Sequence, residues 1–322
     1  MSGFIGVAVV LVLAVLFGWL STRAWRVRNT AGRIVGGLLT ALLTLFFAAV
    51  LIVGLLGVYR LYAPHGQPAA SITVRATPDQ LTVAGRRVSG CAGCHSSAGA
   101  LPLDGGTMNF LGGANGGLGP GVLVPPNLTP GGPLKDWSDG EIVRAIREGI
   151  DRDGHPMLIM PSDAFHHLAD EDVLLLIAYL RAQPAVQHAT PTRDINLLGL
   201  MLIGGGLFPT AEQPHISQPQ AAPTPGTPAY GQYLVQITGC ATCHGPELSG
   251  GRPNGGFGPP VGPSLRAIVP QWAEADFVKF FRTGQDPYGR TIDPGLMPWK
   301  DIGASYTDDE LRAIYAYLHG LT

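Results

Sequence analysis

The sequence predicts an all-α chain, in which a two-helix transmembrane hairpin is followed by two small helical domains in tandem. Three observations predict this architecture. Two long uncharged apolar stretches lie near the start, a Cys-x-x-Cys-His pentapeptide occurs twice, and other short motifs recur around each pentapeptide in the same order. The predicted divisions are a hairpin at 1–63, a first domain at 64–190, a connector at 191–228 and a second domain at 229–322.

The hairpin prediction rests on charge and length. Gly3 to Leu20 has no charged side chain over 18 residues, and Ile34 to Val58 has none over 25. A helix needs about 20 apolar residues to cross a bilayer core. A signal peptide is the alternative for the first stretch, but that stretch lacks a basic segment before it and a clear small-x-small cleavage site.

The loop between the two stretches sets the expected orientation. It carries Arg23, Arg26, Arg28 and Arg33, and short arginine-rich loops stay on the cytoplasmic side. The chain from residue 64 onward is therefore expected on the outer, periplasmic side of the plasma membrane. That part holds 16 of the 21 basic and all 23 acidic side chains, a formal charge of −7. Such a balance argues against nucleic acid as a partner.

The repeated pentapeptide, at Cys91–His95 and Cys240–His244, is the attachment signal for c-type haem. Two thiols three positions apart can bond to the two vinyl groups of one porphyrin, and the adjacent His reaches the iron. These motifs use all four cysteines of the chain. A redox dithiol or a zinc site is the alternative, but neither explains a His after the second Cys in both copies. Two covalently bound haem c groups are expected.

The region after the hairpin is one pattern used twice. Each copy has a helix leading into the pentapeptide, a Gly/Pro-rich stretch with a Pro-x-Leu element, a second helix ending in glycine, a Met-Pro pair and a closing helix with Ala-Tyr-Leu. The matched segments are Val83–Gly90 with Tyr230–Gly239, Pro126–Leu128 with Pro263–Leu265, Glu141–Gly149 with Ala275–Gly284, Met160-Pro161 with Met297-Pro298, and Ala178–Leu180 with Ala316–Leu318.

The paired Met-Pro positions predict the second axial ligands. Haem iron in cytochromes c commonly takes His on one side and Met on the other. We therefore expect His95 with Met160, and His244 with Met297. Met157, three residues before Met160, is the alternative in the first copy. A bis-His site using His155, His166 or His167 is a further alternative.

The Pro-x-Leu elements predict the partners of the axial histidines. A His that binds a metal through one ring nitrogen usually donates a hydrogen bond from the other, often to a backbone carbonyl. Pro126 and Pro263 are the candidates. In the closing helices, Thr307 and Glu310 form a capping-box pattern. The first copy has Ala169 in place of the Thr, so Asp170 is its candidate cap.

Residues 76–185 and 229–320 together resemble two class I cytochrome c domains. In the first copy, Pro126–Pro130, Trp137-Ser138 and Arg147–Gly149 are similar to the cytochrome subunits of membrane alcohol and gluconate dehydrogenases. Those subunits commonly carry three haems and generally lack an N-terminal hairpin, whereas this chain has two pentapeptides and a hairpin. The layout also resembles the dihaem subunit of haem-copper oxidases and the cytochrome subunits of quinol-oxidising complexes.

The resemblance implies a membrane-anchored electron relay. The first expectation is a subunit of a respiratory or photosynthetic complex. Its partners would be membrane lipid and a quinol-oxidising complex, a terminal oxidase or a photosynthetic reaction centre, with a soluble electron carrier as a further partner. The alternatives are a dehydrogenase cytochrome subunit or a freestanding tethered shuttle. A dihaem enzyme of the peroxidase or thiosulfate dehydrogenase type would need an open iron site, and a Met in both copies argues against one.

Two further expectations concern the hairpin and the connector. Small residues in the hairpin, namely Gly36, Gly37, Gly54 and Gly57, are expected to let it pack on other membrane helices. Residues 195–209 are apolar but too short for a span, so they are expected to pack on a domain or a partner surface.

Overall fold

The computed structural model describes residues 1–112, 119–251 and 261–321, and its regular structure is almost entirely helical, which confirms the all-α fold class. Parts of both Gly/Pro-rich stretches, residues 113–118 and 252–260, lie outside the described residues, as does Thr322. The helices are α1 Ser2–Ala24, α2 Thr30–Tyr62, α3 Pro78–Val88, α4 Ala92–His95, α5 Asp139–Glu148, α6 Ser162–Phe165, α7 Asp170–Ala182, α8 Leu197–Gly204, α9 Pro228–Ile237, α10 Cys240–His244, α11 Leu265–Ile268, α12 Glu274–Thr283, α13 Trp299–Ser305 and α14 Asp308–His319.

Helices α1 and α2 form a hairpin, and both are long and apolar enough to cross a membrane. The Asn29 side chain accepts a hydrogen bond from the backbone N–H of Ala31 and caps the start of α2. Gly37 lies against the ring of Trp25, and the rings of Phe17 and Phe47 stack with centroids 5.4 Å apart. These contacts are internal to the hairpin, and Gly37 leaves room for the Trp25 ring against α2.

In each copy, the helix that leads into the pentapeptide crosses the closing helix at a glycine. Gly85 in α3 lies against the ring of Tyr179 in α7. Gly231 in α9 lies against α14, where a Cβ atom would come within 1.9 Å of the carbonyl oxygen of Ala313. A residue larger than glycine at position 231 would force the two backbones apart. The crossing point therefore sets the position of the pentapeptide that follows each leading helix.

The segment after the second helix has the same structure in both copies. Helices α5 and α12 end at Gly149 and Gly284, with φ of 66° and 72°, a left-handed conformation that favours glycine. A β-bridge then closes each following turn, at Ile150 with Pro156 and at Gln285 with Thr291. This turn precedes each Met-Pro pair, so the repeat seen in the sequence is also a repeat in backbone structure.

The predicted cap of α7 is wrong. Asp170 is the first helical residue, and its N-cap residue, Ala169, makes no side-chain capping bond. The Asp170 carboxylate instead accepts a hydrogen bond from Arg147 at 2.6 Å. Arg282 and Asp308 form the same ion pair in the second copy, at 2.7 Å. The first copy therefore has this ion pair without a side-chain cap, whereas the second copy has both the ion pair and the Thr307 cap.

The connector joins the first copy to the hairpin. Strand β1, Gly121–Val122, pairs antiparallel with β2, Asp194–Ile195. Helix α8 follows β2 directly and packs on α2 and α1. The connector therefore packs on the hairpin as well as on the first copy.

Candidate haem sites

Each pentapeptide forms a short helical segment. Cys91–His95 comprises the end of a 3₁₀ turn, Ser89–Cys91, and α4, while Cys240–His244 is the whole of α10. Residues three apart on a helix lie on the same face, so both thiols of a pentapeptide face one side. All four cysteines are free thiols. The geometry suits attachment of two thiols to one planar group.

The His of each pentapeptide is held through its Nδ1 atom. Nδ1 of His95 lies 2.9 Å from the carbonyl oxygen of Pro126, and Nδ1 of His244 lies 2.7 Å from that of Pro263. A carbonyl only accepts, so Nδ1 carries the proton and Nε2 keeps its lone pair. Burial lowers the pKa of both histidines, against a smaller opposing effect of the same carbonyl bond. The neutral imidazole with a free Nε2 is the form that binds iron.

A second backbone bond closes each loop below the His. The N–H of Leu128 donates to the carbonyl of Leu103 at 2.8 Å, and the N–H of Leu265 donates to that of Leu248 at 2.9 Å. Gly262, beside Pro263, packs so closely that a Cβ atom there would come within 2.6 Å of Nδ1 of His244. The Pro-x-Leu element thus fixes the position and the rotation of the imidazole ring.

The first cysteine of each pair is partly buried. Burial raises the pKa of Cys91 to about 11 and that of Cys240 to about 12. The thiolate is the form that attacks disulfides and binds zinc, and at neutral pH it is scarce at both positions. These surroundings disfavour a reactive dithiol. Two thiols and a neutral His with a free Nε2 fit covalent haem c.

Met160 and Met297 occupy equivalent turns. The carbonyl of Met160 accepts from the N–H of Ser162 at 2.8 Å, and that of Met297 accepts from the N–H of Trp299 at 2.7 Å. The prolines between have φ and ψ of −78° and 55° in the first copy and −76° and 50° in the second. Both are inverse γ-turns, and a short helix follows each.

The other methionines of the first copy lie in different surroundings. The N–H of Met157 donates to the carbonyl of Gly149 at 2.7 Å, as the N–H of Ile292 donates to that of Gly284 at 2.9 Å. Met157 is therefore the structural counterpart of Ile292 and not of Met297. Met108 is 60% exposed. The equivalence of turns favours Met160 over both.

The histidines near Met160 have other contacts. Nδ1 of His166 lies 3.1 Å from the carbonyl of Arg147, and His167 lies against His166, with ring centroids 5.8 Å apart. His155 lies over Tyr62 at the end of α2, with ring centroids 6.1 Å apart. Among the described residues, the second copy shows no contacts that match those of these three histidines.

The structure also brings the two copies together at an interface that the sequence patterns do not indicate. Arg87, in the helix before the first pentapeptide, reaches into the second copy. It forms an ion pair with Glu310, donates to the carbonyl of Ser305 at 3.2 Å, and lies 4.3 Å from the centre of the Tyr306 ring. Its side chain is only 13% exposed.

The interface is reciprocal. In the second copy, the hydroxyl of Tyr233 in α9 donates to Asp172 and accepts from the N–H of Ala169 at 3.1 Å. Gly239, just before the second pentapeptide, lies against Ala164, which follows Met160. Ser89 in turn lies 3.3 Å from Ser305, which follows Met297. The stretch before each pentapeptide therefore contacts the segment after the Met-Pro pair of the other copy.

Comparison with known proteins agrees with this geometry. The family model named Cytochrome c matches residues 228–322. The cytochrome c subunit of the quinone-dependent alcohol dehydrogenase of Gluconacetobacter polyoxogenes is 27% identical over 266 residues, which cover 73% of this chain and 54% of that protein. The gluconate 2-dehydrogenase cytochrome c subunit of Pantoea cypripedii is 26% identical over 264 residues, with 73% and 57% covered.

A nicotinate dehydrogenase subunit of Pseudomonas putida is 28% identical over 272 residues, which cover 74% of this chain and 21% of that protein. The chain thus spans about a fifth of that subunit, and about half the length of the alcohol and gluconate dehydrogenase subunits that it matches. A cytochrome c domain carries covalently bound haem c. Residues 228–322 match the cytochrome c family model, and the chain is similar to the cytochrome c subunits of dehydrogenases.

Proposed function

We propose that this chain is a membrane-anchored dihaem c-type cytochrome that passes electrons from a membrane dehydrogenase. The observation that carries the proposal is the same hydrogen bond in both copies, from Nδ1 of the pentapeptide His to a Pro-x-Leu carbonyl. We propose the divisions 1–63 for the anchor, 64–190 and 229–322 for the haem domains and 191–228 for the connector. The hairpin crosses the plasma membrane twice, and both haem domains lie on its periplasmic side.

In each copy, a set of residues would hold one haem c, which supplies one-electron chemistry when bound. In the first copy, Cys91 and Cys94 would form the thioether bonds, and His95 and Met160 would ligate the iron. Cys240, Cys243, His244 and Met297 take these roles in the second copy. Pro126 and Pro263 orient the two histidines. An iron held by both a His and a Met would leave no coordination position for a substrate.

The reciprocal interface supports electron exchange between the two copies. Each leading helix ends at a pentapeptide and contacts the segment after the other copy's axial Met, so both haem attachment sites border the same interface. Buried side chains such as Tyr233, which is 5% exposed, fill this interface. A packed path couples redox centres better than a water-filled gap of the same length.

The relatives favour a dehydrogenase as the partner over a respiratory or photosynthetic complex. Their names describe them as cytochrome c subunits of alcohol and gluconate dehydrogenases. The hairpin glycines support a complex with other membrane helices less than the sequence suggests, since Gly37, Gly54 and Gly57 contact this chain's own residues.

The number of haems tests the core of the proposal. The purified full chain should carry two covalent haems by intact mass. The double variants Cys91→Ser with Cys94→Ser, and Cys240→Ser with Cys243→Ser, should each carry one, because each removes both thioether bonds of a single site. A wild-type chain with one haem, or a double variant that keeps two, would contradict the assignment.

The partner can be identified by purification from native membranes in mild detergent. A flavin or quinone-cofactor dehydrogenase subunit is expected in stoichiometric amount, identified by mass spectrometry of the complex. Oxidase, quinol-oxidising or reaction-centre subunits in its place would overturn the dehydrogenase proposal. An isolated haem protein would overturn it in favour of a tethered shuttle. The same preparation stripped with high salt is the control for loosely bound contaminants.

A further inference from the structure

Helix α8, between the two copies, is in direct backbone contact with the hairpin. A Cβ atom on Gly57 of α2 would come within 1.9 Å of the carbonyl oxygen of Leu200, and one on Gly204 would come within 2.0 Å of that of Val53. On α1, Gly6 lies against Leu197. Small residues that let helices touch in this way are typical of packing inside membranes.

The contact lies within the membrane-spanning part of the hairpin. Val53, Gly54 and Gly57 belong to the uncharged stretch that ends at Val58, and Gly6 belongs to the first uncharged stretch. Tyr59, Arg60 and Tyr62 follow on α2, where aromatic and basic side chains mark a membrane boundary. Helix α8 therefore touches α2 about one turn deeper than this boundary.

Side chains bond to backbone groups at both ends of α8. The side chain of Asn196 accepts from the N–H of Gly199 at 3.1 Å. Nη1 of Arg60 donates to the carbonyls of Ile203 at 2.9 Å and Gly204 at 3.1 Å. Free carbonyls at a helix end are costly in hydrocarbon. Arg60 removes that cost by extending its side chain from the boundary toward the end of α8.

The outer face of α8 is apolar and uncovered. The helix has the sequence LLGLMLIG, with no charged or polar side chain. Leu198 is 49% exposed, and Leu207, just after the helix, is 72% exposed. Leu55 of α2, which also faces outward, is 49% exposed. The uncovered face of α8 is thus continuous with the lipid-facing surface of the hairpin.

We propose that α8 is a third membrane-embedded element, which dips into the outer leaflet and takes lipid acyl chains against Leu198 and Leu207. The proposal rests on the membrane anchor of the proposed function. Because α8 joins the two copies and β2 pairs with the first of them, its insertion would fix how both haem domains stand on the bilayer. The connector would then act as an orienting element.

Site-directed spin labelling of the haem-loaded full chain in lipid nanodiscs tests this. Nitroxides are placed at Leu198→Cys and Leu207→Cys, and their collision rates with oxygen, which partitions into lipid, and with a water-soluble nickel chelate are compared. Val9→Cys, an exposed position of α1, is the lipid control. Thr192→Cys, an exposed position before β2, is the water control. Both α8 labels should give oxygen-to-nickel ratios near that of Val9.

Ratios near that of Thr192 would place α8 in water and overturn the proposal. Labels shielded from both reagents would show that a protein partner covers the face, and would also overturn it. Nickel-dominated collisions at Val9 itself would instead refute the membrane anchor, so the two failures are distinguishable. The haem absorbance spectrum of each labelled variant verifies that the haem domains are intact.

Discussion

Replacement of Met160 by alanine is expected to lower the reduction potential of one haem and leave the other unchanged. A thioether ligand stabilises ferrous over ferric iron, and axial ligands are the main determinant of haem potentials, over a range of about 0.8 V. Loss of one thioether should shift that haem by on the order of 0.1 V. The measurement is a spectroelectrochemical titration of the purified protein, which should resolve one shifted wave and one unshifted wave.

The same variant should bind carbon monoxide at one haem when reduced without denaturant, because the sixth position of that iron becomes open. The wild-type protein should bind none. Met297→Ala should produce the equivalent changes at the other haem, and the double variant should produce both.

Met157→Ala is the matched control, since Met157 lies three residues away and corresponds to Ile292 of the second copy. It should leave both potentials and the carbon monoxide result as in the wild type. If Met157→Ala shifts a potential and Met160→Ala does not, the ligand of the first haem is Met157. If neither has an effect, the bis-His alternative with His166 or His167 becomes the assignment to test.

The local motifs of this chain were predictable because they are encoded by neighbouring residues. The pentapeptides, the Pro-x-Leu elements and the Met-Pro pairs each span a few positions, and the equivalent turns at Met160 and Met297 follow from the same Met-Pro sequence. The Met-Pro pattern favours Met160 over Met157 from sequence alone. The shared bridge after Gly149 and Gly284 supports that preference, because it matches Met157 to Ile292.

The contacts that the sequence did not indicate join residues far apart in the chain. Arg87 and Glu310 are separated by 223 positions, and no periodicity connects them. Asp170 was expected to cap its own helix, but the ion pair with Arg147 depends on the packing of α5 beside α7. The connector residues 195–209 were too short and apolar to place by composition. Their packing on the hairpin is shown only by contacts such as those with Gly54 and Gly57.

Arg87→Ala is expected to cost about 3 kcal/mol of unfolding free energy and to uncouple the two copies. The Glu310 side chain is only 18% exposed, and it also accepts from the N–H of Thr307 at 2.8 Å to cap α14. Removal of Arg87 leaves this carboxylate poorly solvated and unpaired beside Tyr306. Calorimetry should show the single transition of the wild type separate into two, because the interface no longer links the copies.

Electron exchange between the haems should slow in the same variant, as measured by fast photoreduction of one haem and observation of the other. Arg86→Ala is the matched control, since Arg86 is the exposed neighbour of Arg87. It should change stability by less than about 0.5 kcal/mol and leave the exchange rate unchanged.

Arg87→Lys keeps the charge but not the planar fork that reaches Ser305 and Glu310 together, so it should recover part of the stability. An Arg87→Ala protein with wild-type exchange and one transition would show that Arg87 is not needed to hold the two copies together. Normal exchange with two transitions would show that the interface holds the copies together but does not carry the electrons.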